Sequence, residues 1–186
     1  MALSTPQTAT RTTWTFDPAH TSVEFRARHM MISNVRGKFT NVTGTILEDE
    51  SNPANTYVEV DIDPASIDTR NEQRDTHLRS ADFLDVENYP AITYKTTNLE
   101  FVDEENVKVT GDLTIRGVTR PITLEASVNG RGPNPWGQYV AGVSLKGSLN
   151  RKDWGINFNV ALETGGVLVS DKIDIDIEIE AIKQQS

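Results

Sequence analysis

Hydrophobic and polar residues alternate along most of this chain. The clearest example is KIDIDIEIEAI at residues 172–182, where isoleucines at 173, 175, 177 and 179 alternate with Asp and Glu. Successive side chains of a β-strand point to opposite faces. The pattern therefore predicts a strand with one face against a hydrophobic core and the other face in water.

The same period of two recurs in six further segments. They are residues 22–29, 57–63, 91–96, 107–115, 122–128 and 139–149. Turn-forming residues separate most of these segments. The fold class is therefore all-β, with about eight consecutive strands in an antiparallel meander. Closing such a sheet into a barrel removes its exposed edges, so a closed barrel is favoured.

One stretch with apolar residues has an irregular pattern. Between residues 35 and 47, Phe39 and Val42 fall out of phase for a single face. An extra residue in one strand produces this kind of phase change. The pattern predicts a β-bulge near Thr40 and Asn41.

A polar segment at residues 69–90, TRNEQRDTHLRSADFLDVENYP, interrupts the strands. Asn71 is a suitable N-cap, and Pro90 disfavours helix in the residue before it. We predict a short surface helix over about 71–80, followed by a shorter turn at 83–86. The segment combines arginines, a histidine and several acids, so it is the densest group of candidate chemistry in the chain.

The inward faces of the predicted strands mix large apolar residues with small ones. The small residues are Ala27, Gly111, Ala126, Ala141, Gly147 and Ala181. They either accommodate bulky partners across the barrel or leave a lumen, since an eight-stranded barrel is just wide enough for either. A lumen would be almost wholly apolar and would suit a long hydrocarbon. The residues predicted to line it are Phe25, Ala27, His29, Phe39, Val58, Val60, Ile92, Tyr94, Val109, Leu113, Leu124, Val143, Leu145, Ile175 and Ile177.

Length and charge narrow the classes of partner. With 186 residues, we predict one domain over 14–186, preceded by a loose tail at 1–13. A net charge of -9 disfavours binding to nucleic acid and to anionic membranes. The first residues lack the features of a signal peptide, so we expect a cytoplasmic protein without stable membrane insertion.

The sequence contains no pattern typical of a catalytic or metal site. It has no cysteine, no Gly-x-Ser-x-Gly motif and no phosphate-binding glycine loop. The three histidines, His20, His29 and His77, form no His-x-His pair on a strand. We therefore predict no catalytic residue, no metal and no enzyme activity. His20 is expected to brace a turn with Asp17.

Several motifs together resemble the YceI family of polyisoprenoid-binding proteins. They are WTFDPAHTSVEFRARHM, VRGKF, RDTHLRSADFLDVENYP, GDLTIRGVTRPITL and NRKDWGI, which span most of residues 14–182 in order. The resemblance implies an extended lipocalin-like barrel with a helix inserted between strands. It also implies an apolar lumen for an isoprenoid or similar amphiphilic chain, and a homodimer.

On this resemblance, we expect a carrier, store or sensor for a lipid of the polyprenyl phosphate or quinone type, with no other cofactor. Arg70, Arg74 and His77 are predicted to lie near the barrel mouth and to hold the polar head. Alternatively, Arg74 and Asp75 pair with strand residues and fix the helix. At about 0.3 kcal/mol per heavy atom, a chain of about forty carbons would bind with roughly -12 kcal/mol.

The sequence leaves two other functions open. Arg74, Asp75 and His77 could act as an enzyme site on an isoprenyl head group. The barrel could also be a structural or stress protein that acts through its surface and holds no ligand.

Overall fold

Antiparallel β-strands dominate residues 10–185, the part of the chain described by the computed structural model. The strands are β1 (Arg11–Phe16), β2 (Ser22–His29), β3 (Ser33–Phe39), β4 (Val42–Asp49), β5 (Tyr57–Ile62), β6 (Ile67–Asp68), β7 (Ile92–Phe101), β8 (Asn106–Ile115), β9 (Val118–Pro133), β10 (Tyr139–Asn150) and β11 (Val169–Lys183). One α-helix, α1 (Glu72–Arg79), lies between β6 and β7. Short 3-10 helices cover Pro53–Asn55, Pro64–Ser66 and Arg151–Trp154.

The sheet closes into an eight-stranded antiparallel barrel, which confirms the predicted fold class. The closed ring runs β1–β4–β5–β7–β8–β9–β10–β11 and returns to β1. The short strands β2, β3 and β6 continue β1, β4 and β5 beyond local breaks, because β2 pairs with β11 and β3, and β3 pairs with β6. One edge of β11 therefore pairs with β1 near Ala181 and with β2 from Ile173 to Glu178.

The predicted bulge near Thr40 and Asn41 is instead a complete break between β3 and β4. The neighbouring wall is interrupted at the same level by the 3-10 helix Pro64–Ser66. The backbone N–H of Thr40 donates to the Ser66 carbonyl at 3.1 Å, and that of Asn41 donates to Ser66 Oγ at 3.0 Å. The interruption therefore involves two neighbouring segments of the wall, whereas a bulge would insert one residue into a single strand.

Helix α1 starts where the sequence predicted. Asn71 caps it by accepting a hydrogen bond from the backbone N–H of Arg74 at 2.9 Å. The chain then turns, and Phe83 is buried. We call this side of the barrel, with α1 and the 3-10 helix Arg151–Trp154, the helix end. The opposite side, with the β7–β8 turn and Pro53–Asn55, is called the open end.

The predicted tail at 1–13 differs in its last residues, because β1 already begins at Arg11 and Thr12 is buried. Residues 1–9 lie outside the described residues. Within the described part, no helix is long and apolar enough to cross a membrane.

Small inward residues leave space for the side chains of their neighbours. A Cβ at Gly111 would lie 2.5 Å from the Tyr94 ring and 2.6 Å from the Lys95 carbonyl oxygen. A Cβ at Gly147 would lie 2.5 Å from a methyl of Leu124. At these two positions, the packing explanation for small residues is correct, although a lumen also exists.

Replacing Gly111 should therefore destabilise the barrel. Gly111→Ala is expected to lower the free energy of unfolding by ~1–3 kcal/mol, because the backbone carbonyl of Lys95 cannot move away as a flexible side chain would. Chemical denaturation measures this loss. Gly132→Ala is the matched control, since nothing lies within 4 Å of a Cβ there. Equal stability of the two variants would contradict the packing role of Gly111.

Candidate ligand cavity

The barrel encloses a cavity with a volume of about 660 Å³. It extends from Phe101 and Glu104 at the open end to Ala27 and Val169 near the helix end. Phe101 is 46% exposed, so the cavity reaches the protein surface at the open end. At the helix end, Leu78 of α1 and the following Phe83 and Leu84 form part of the wall.

Alternation along the strands makes this wall apolar. Isoleucines 173, 175, 177 and 179 all line the cavity, while the acids between them point outward on β11. The predicted lining residues lie on the wall, with the exception of His29. Their contact with a ligand stays a prediction.

His29 is a correction to the predicted wall. It is the last residue of β2, pairs with Val169 and is half-buried, but it does not line the cavity. Its strand partner Val169 does line the cavity, so the cavity reaches this level of the barrel. The pairing of β2 with β11 shifts register between Val169 and Ile173, so strict alternation from Ala27 did not place His29 correctly.

Tyr94 is one of the few residues with a polar atom on the wall. Its hydroxyl donates to the Val109 carbonyl at 3.2 Å. Burial raises the pKa of Tyr94, with a smaller contribution from the nearby charge of Asp112. The phenol is therefore neutral at physiological pH and already hydrogen-bonded, so it behaves as part of the apolar wall.

Arg151 also reaches the wall, but its charge holds a loop in place. It is 4% exposed and donates to the carbonyls of Ile156 and Phe158 at 2.8 Å and of Ser170 at 3.0 Å. Burial lowers the pKa of Arg151, and the charge of Asp171 opposes this shift. With carbonyls occupying its donors, Arg151 fixes the segment that covers the helix end.

The polar segment 69–90 forms a structural network around Thr69. Buried Asp75 accepts hydrogen bonds from the Thr69 backbone N–H at 3.0 Å and from its hydroxyl. Arg74 donates through Nε to Thr69 Oγ1 at 2.7 Å and through Nη2 to the Thr69 carbonyl at 2.9 Å. The alternative that Arg74 and Asp75 tie the helix to the preceding chain agrees with this geometry.

None of Arg70, Arg74 and His77 lines the cavity, so their position does not support the predicted head-group role. Arg70 is exposed and follows β6 with a φ of 60°. His77 is exposed, and its Nε2 lies 2.8 Å from Asp82 Oδ2. Its ring packs edge-on against Phe83 and Phe158, at centroid distances of 5.0 and 4.8 Å. Sequence proximity to a mouth was a poor guide, because Arg70 lies before the helix, Arg74 is bonded to Thr69 and His77 is paired with Asp82.

A different polar group lies at the open end. Trp14 Nε1 donates to Glu48 Oε2 at 2.8 Å, and Arg131 Nη1 donates to Glu48 Oε1 at 2.6 Å. The Arg131 guanidinium also lies 5.4 Å from the centre of the Trp14 ring. These three residues and Glu104 line the cavity together. Arg131 and Glu48 are 83 positions apart, so no local motif predicted this cluster.

One group of described residues, Asp17, His20 and Glu180, brings together three side chains of metal-ligand type. His20 Nδ1 lies 2.8 Å from Asp17 Oδ2, as expected for the predicted brace. The hydrogen bond that the Asp17 carboxylate accepts from His20 raises the pKa of His20, and the charge of Glu180 adds to this effect. The group lies at the break between β1 and β2, and these residues do not line the cavity.

The model of the YceI-like domain matches residues 14–181 of this chain. A Staphylococcus aureus protein, UPF0312 protein SA2479, is 41% identical over 170 residues, which are 91% of this chain and 96% of that protein.

Solved structures show the same architecture. The Campylobacter jejuni YCEI protein superposes with a TM-score of 0.73 at 34% identity, covering 85% of this chain and 90% of that one. A polyisoprenoid binding domain from Saccharophagus degradans superposes with a TM-score of 0.68 at 14% identity, covering 92% of this chain and 98% of that one. At this low identity, the second similarity shows the fold alone.

The Thr69 network should contribute to stability and leave the cavity unchanged. Thr69→Val keeps the side-chain shape but removes the hydroxyl that joins Asp75 to Arg74. We expect a loss of ~1–3 kcal/mol in the free energy of unfolding, because a buried carboxylate loses a partner. Thermal or urea denaturation tests this. Thr119→Val, which removes a hydroxyl paired with Thr114 on the surface, is the control. A variant as stable as this control would argue against a bracing role.

Proposed function

The chain belongs to the YceI-like family, and on this premise we propose that its barrel binds an isoprenoid or a similarly long apolar chain in the interior cavity. The protein would act as a carrier, store or sensor of that lipid. The relative from Saccharophagus degradans is described as a polyisoprenoid binding domain, which supports this choice of ligand class.

The observation that carries the proposal is the cavity itself. Apolar side chains from strands all round the barrel leave about 660 Å³ between them. Well-packed interiors rarely contain voids larger than a water molecule. A space of this size and character is typical of a binding site for an apolar ligand.

The volume also limits the length of chain that can be buried. At ~30 Å³ for each water-sized group, 660 Å³ holds roughly twenty carbon-sized groups. This is about half of the forty-carbon tail considered from the sequence, so a longer chain would continue out of the open end. At ~0.3 kcal/mol per heavy atom, the buried part contributes about -6 kcal/mol, which corresponds to a Kd of tens of micromolar.

The polar groups at the open end favour a neutral head. Glu48 is already paired with Arg131, and Glu104 adds a further negative charge. A phosphate at this position would meet two carboxylates and one guanidinium whose charge is partly neutralised. A hydroxyl or quinone head avoids that repulsion and can still accept a hydrogen bond from Arg131. Of the two lipid types expected from the sequence, polyprenyl phosphate and quinone, the quinone type therefore fits better, and a polyprenol would share its neutral head.

Geometry does not favour an enzyme built on Arg74, Asp75 and His77. Arg74 and Asp75 are bonded to Thr69, and His77 contacts Asp82 on the outside. Family and fold are of a binding-domain type, so we propose that the protein is not an enzyme. A cytoplasmic location and a homodimer stay predictions.

The first test is native mass spectrometry of protein purified without detergent, followed by organic extraction of the bound material. We expect one isoprenoid-type molecule per subunit. A protein that is empty, and that also takes up no added polyprenol or quinone, would contradict the proposal and favour a protein that acts through its surface.

The cavity size predicts how affinity depends on chain length. Affinity for all-trans polyprenols should rise up to about twenty carbons and then level off, because further units lie outside the cavity. Fluorescence displacement titrations would measure this series. Val60→Trp, which fills part of the cavity, should move the plateau to shorter chains.

The control for this series is Asp61→Trp, which places the same bulk on the exposed face of the same strand. Its length dependence should match that of the unmodified protein. Identical behaviour of the two tryptophan variants would show that the ligand lies elsewhere.

Head-group preference is a separate prediction. At equal chain length, a polyprenol should bind more tightly than its monophosphate, and Glu104→Gln should reduce the difference because it removes one repulsive charge. Competition titrations at low ionic strength give the ratio. Arg74→Gln should leave this ratio unchanged, since Arg74 does not line the cavity. Tighter binding of the phosphate that depends on Arg74 would restore the head-group role predicted from the sequence.

A further inference from the structure

The turn between β2 and β3 presents three consecutive apolar side chains to solvent. Met30 is 42% exposed, Met31 is 51% exposed and Ile32 is 78% exposed. Exposed single hydrophobic residues are common on protein surfaces, but three together at the tip of a hairpin are not. Hairpin turns usually carry polar residues or glycine.

The backbone makes this choice of residues more unusual. Met30 has a φ of 51° and Met31 a φ of 63°, both in the left-handed region. Glycine and asparagine adopt this region with least strain, whereas other side chains are disfavoured there. The apolar side chains are therefore present despite the local backbone preference. Residues with disfavoured backbone angles of this kind are concentrated at functional sites.

The turn is held in position by its neighbours. The backbone N–H of Met30 donates to the Leu168 carbonyl at 2.8 Å. The guanidinium of Arg28 donates to the Met31 carbonyl at 3.3 Å from Nε and 3.1 Å from Nη2. The tip therefore presents Met30, Met31 and Ile32 on an ordered support.

Cations follow this apolar tip along the hairpin. Arg28, Arg36 and Lys38 are exposed, and the side chains of Arg36 and Lys38 form no hydrogen bond or ion pair with any residue between 10 and 185. Lys38 nevertheless lies opposite Glu24 and Asp68 in the strand register, so its charge is partly balanced. Arg36 lies directly opposite Arg26 in the strand register, although like charges in this arrangement repel. Asp174 compensates only Arg26, at 2.7 Å.

Acidic residues cluster at the other end of the barrel. Residues 48–50, at the end of β4, and residues 103–105, in the β7–β8 turn, are all Glu or Asp, and both stretches lie at the open end. The protein carries a net charge of -9, yet the β2–β3 hairpin is locally basic. An anionic surface would therefore attract the hairpin and repel the open end, which orients the molecule.

We propose that the β2–β3 hairpin docks on the surface of an anionic lipid bilayer. Met30, Met31 and Ile32 enter the boundary of the hydrocarbon, while Arg28 and Arg36 meet the phosphate groups. Arg36 lies four positions after Ile32, which is about 13 Å at ~3.3 Å per residue. This spacing is close to the sum of two lengths, a headgroup region of roughly 5–8 Å and an extended arginine side chain.

This docking is a reversible surface contact, and it goes beyond the proposed lipid-binding function. It does not depend on the cavity holding a ligand, so it is tested with unloaded protein and vesicles. Uptake of a polyprenol in solution tests the cavity separately. Failure of one experiment leaves the result of the other intact.

The experiment is flotation of the full chain with vesicles of equimolar phosphatidylcholine and phosphatidylglycerol, and with vesicles of phosphatidylcholine alone. We expect binding to the mixed vesicles at low salt, weaker binding at high salt and little binding to phosphatidylcholine. Equal binding to both vesicle types, or none to either, overturns the proposal.

Two variants separate docking from folding. The double substitution Met30→Asn and Met31→Gly suits the left-handed backbone, so it should preserve or raise thermal stability while it abolishes most vesicle binding. Arg36→Gln should weaken binding by roughly fivefold, and Lys38→Gln should weaken it less because Glu24 and Asp68 lie opposite Lys38. Lys108→Gln, an exposed cation on β8, is the charge-matched control and should have little effect. Retained binding in the Asn–Gly variant overturns the proposal.

Orientation on the vesicle is measured with brominated lipids, which quench tryptophan at the bilayer. Trp14 and Trp154 are 3% and 2% exposed, whereas Trp136, near the open end, is 79% exposed. A tryptophan placed by Ile32→Trp in a Trp136→Ser background should be quenched, and Trp136 of the unmodified chain should not. Quenching of Trp136 alone would show that the opposite end docks. A second copy of this chain would be the partner instead if two results were found together. The unmodified chain would not bind vesicles, and the Asn–Gly variant would differ from it in oligomeric state.

Discussion

The closure of the barrel by β11 is the constraint on which the rest of the structure depends. One edge of this strand pairs with β10, and the other edge is shared between β1 and β2. Across the break between them, the Asp17 backbone N–H donates to the Glu180 carbonyl at 2.8 Å, so the ladder continues through the gap. Without this pairing, the long alternating strand would expose a free edge next to a row of isoleucines, which is a template for aggregation.

Closure with eight strands also determines the interior. A ring of this size is at the limit that side chains can fill, so small changes in side-chain volume decide between a solid core and a cavity. Here, Gly111 and Gly147 draw the Tyr94 ring and the Leu124 side chain onto the wall instead of the axis. The same glycines that improve packing between strands thus keep the centre of the barrel open. The two explanations for small inward residues, packing and a lumen, are therefore two consequences of one arrangement.

Most of the fold and most of the cavity wall could be predicted from the sequence, because both follow from a local pattern with a period of two. Alternation places Ile175 and Ile177 inside whatever the distant parts of the chain do. The exceptions depend on details that alternation does not encode. His29 lies where the pairing of β2 with β11 shifts register and is not on the wall, and the roles of Arg74 and Asp75 depend on their hydrogen bonds to Thr69. The open-end cluster of Trp14, Glu48 and Arg131 joins three separate strands, so composition near any one of them gave no signal.

The two ends of the barrel differ in how their charges are balanced. At the helix end, Arg151 and Asp75 are buried, and each has its hydrogen-bonding capacity met by carbonyls or by Thr69, so these charges rigidify the cover of the cavity. At the open end, Glu48 and Arg131 are partly exposed to solvent and can exchange partners at little cost. A lipid that enters the cavity can therefore rearrange the open end far more easily than the helix end. Phe101 lies both on the cavity wall and at the surface, so the open end is the better entrance for an apolar chain. The more rigid helix end is the better support for a fixed docking surface.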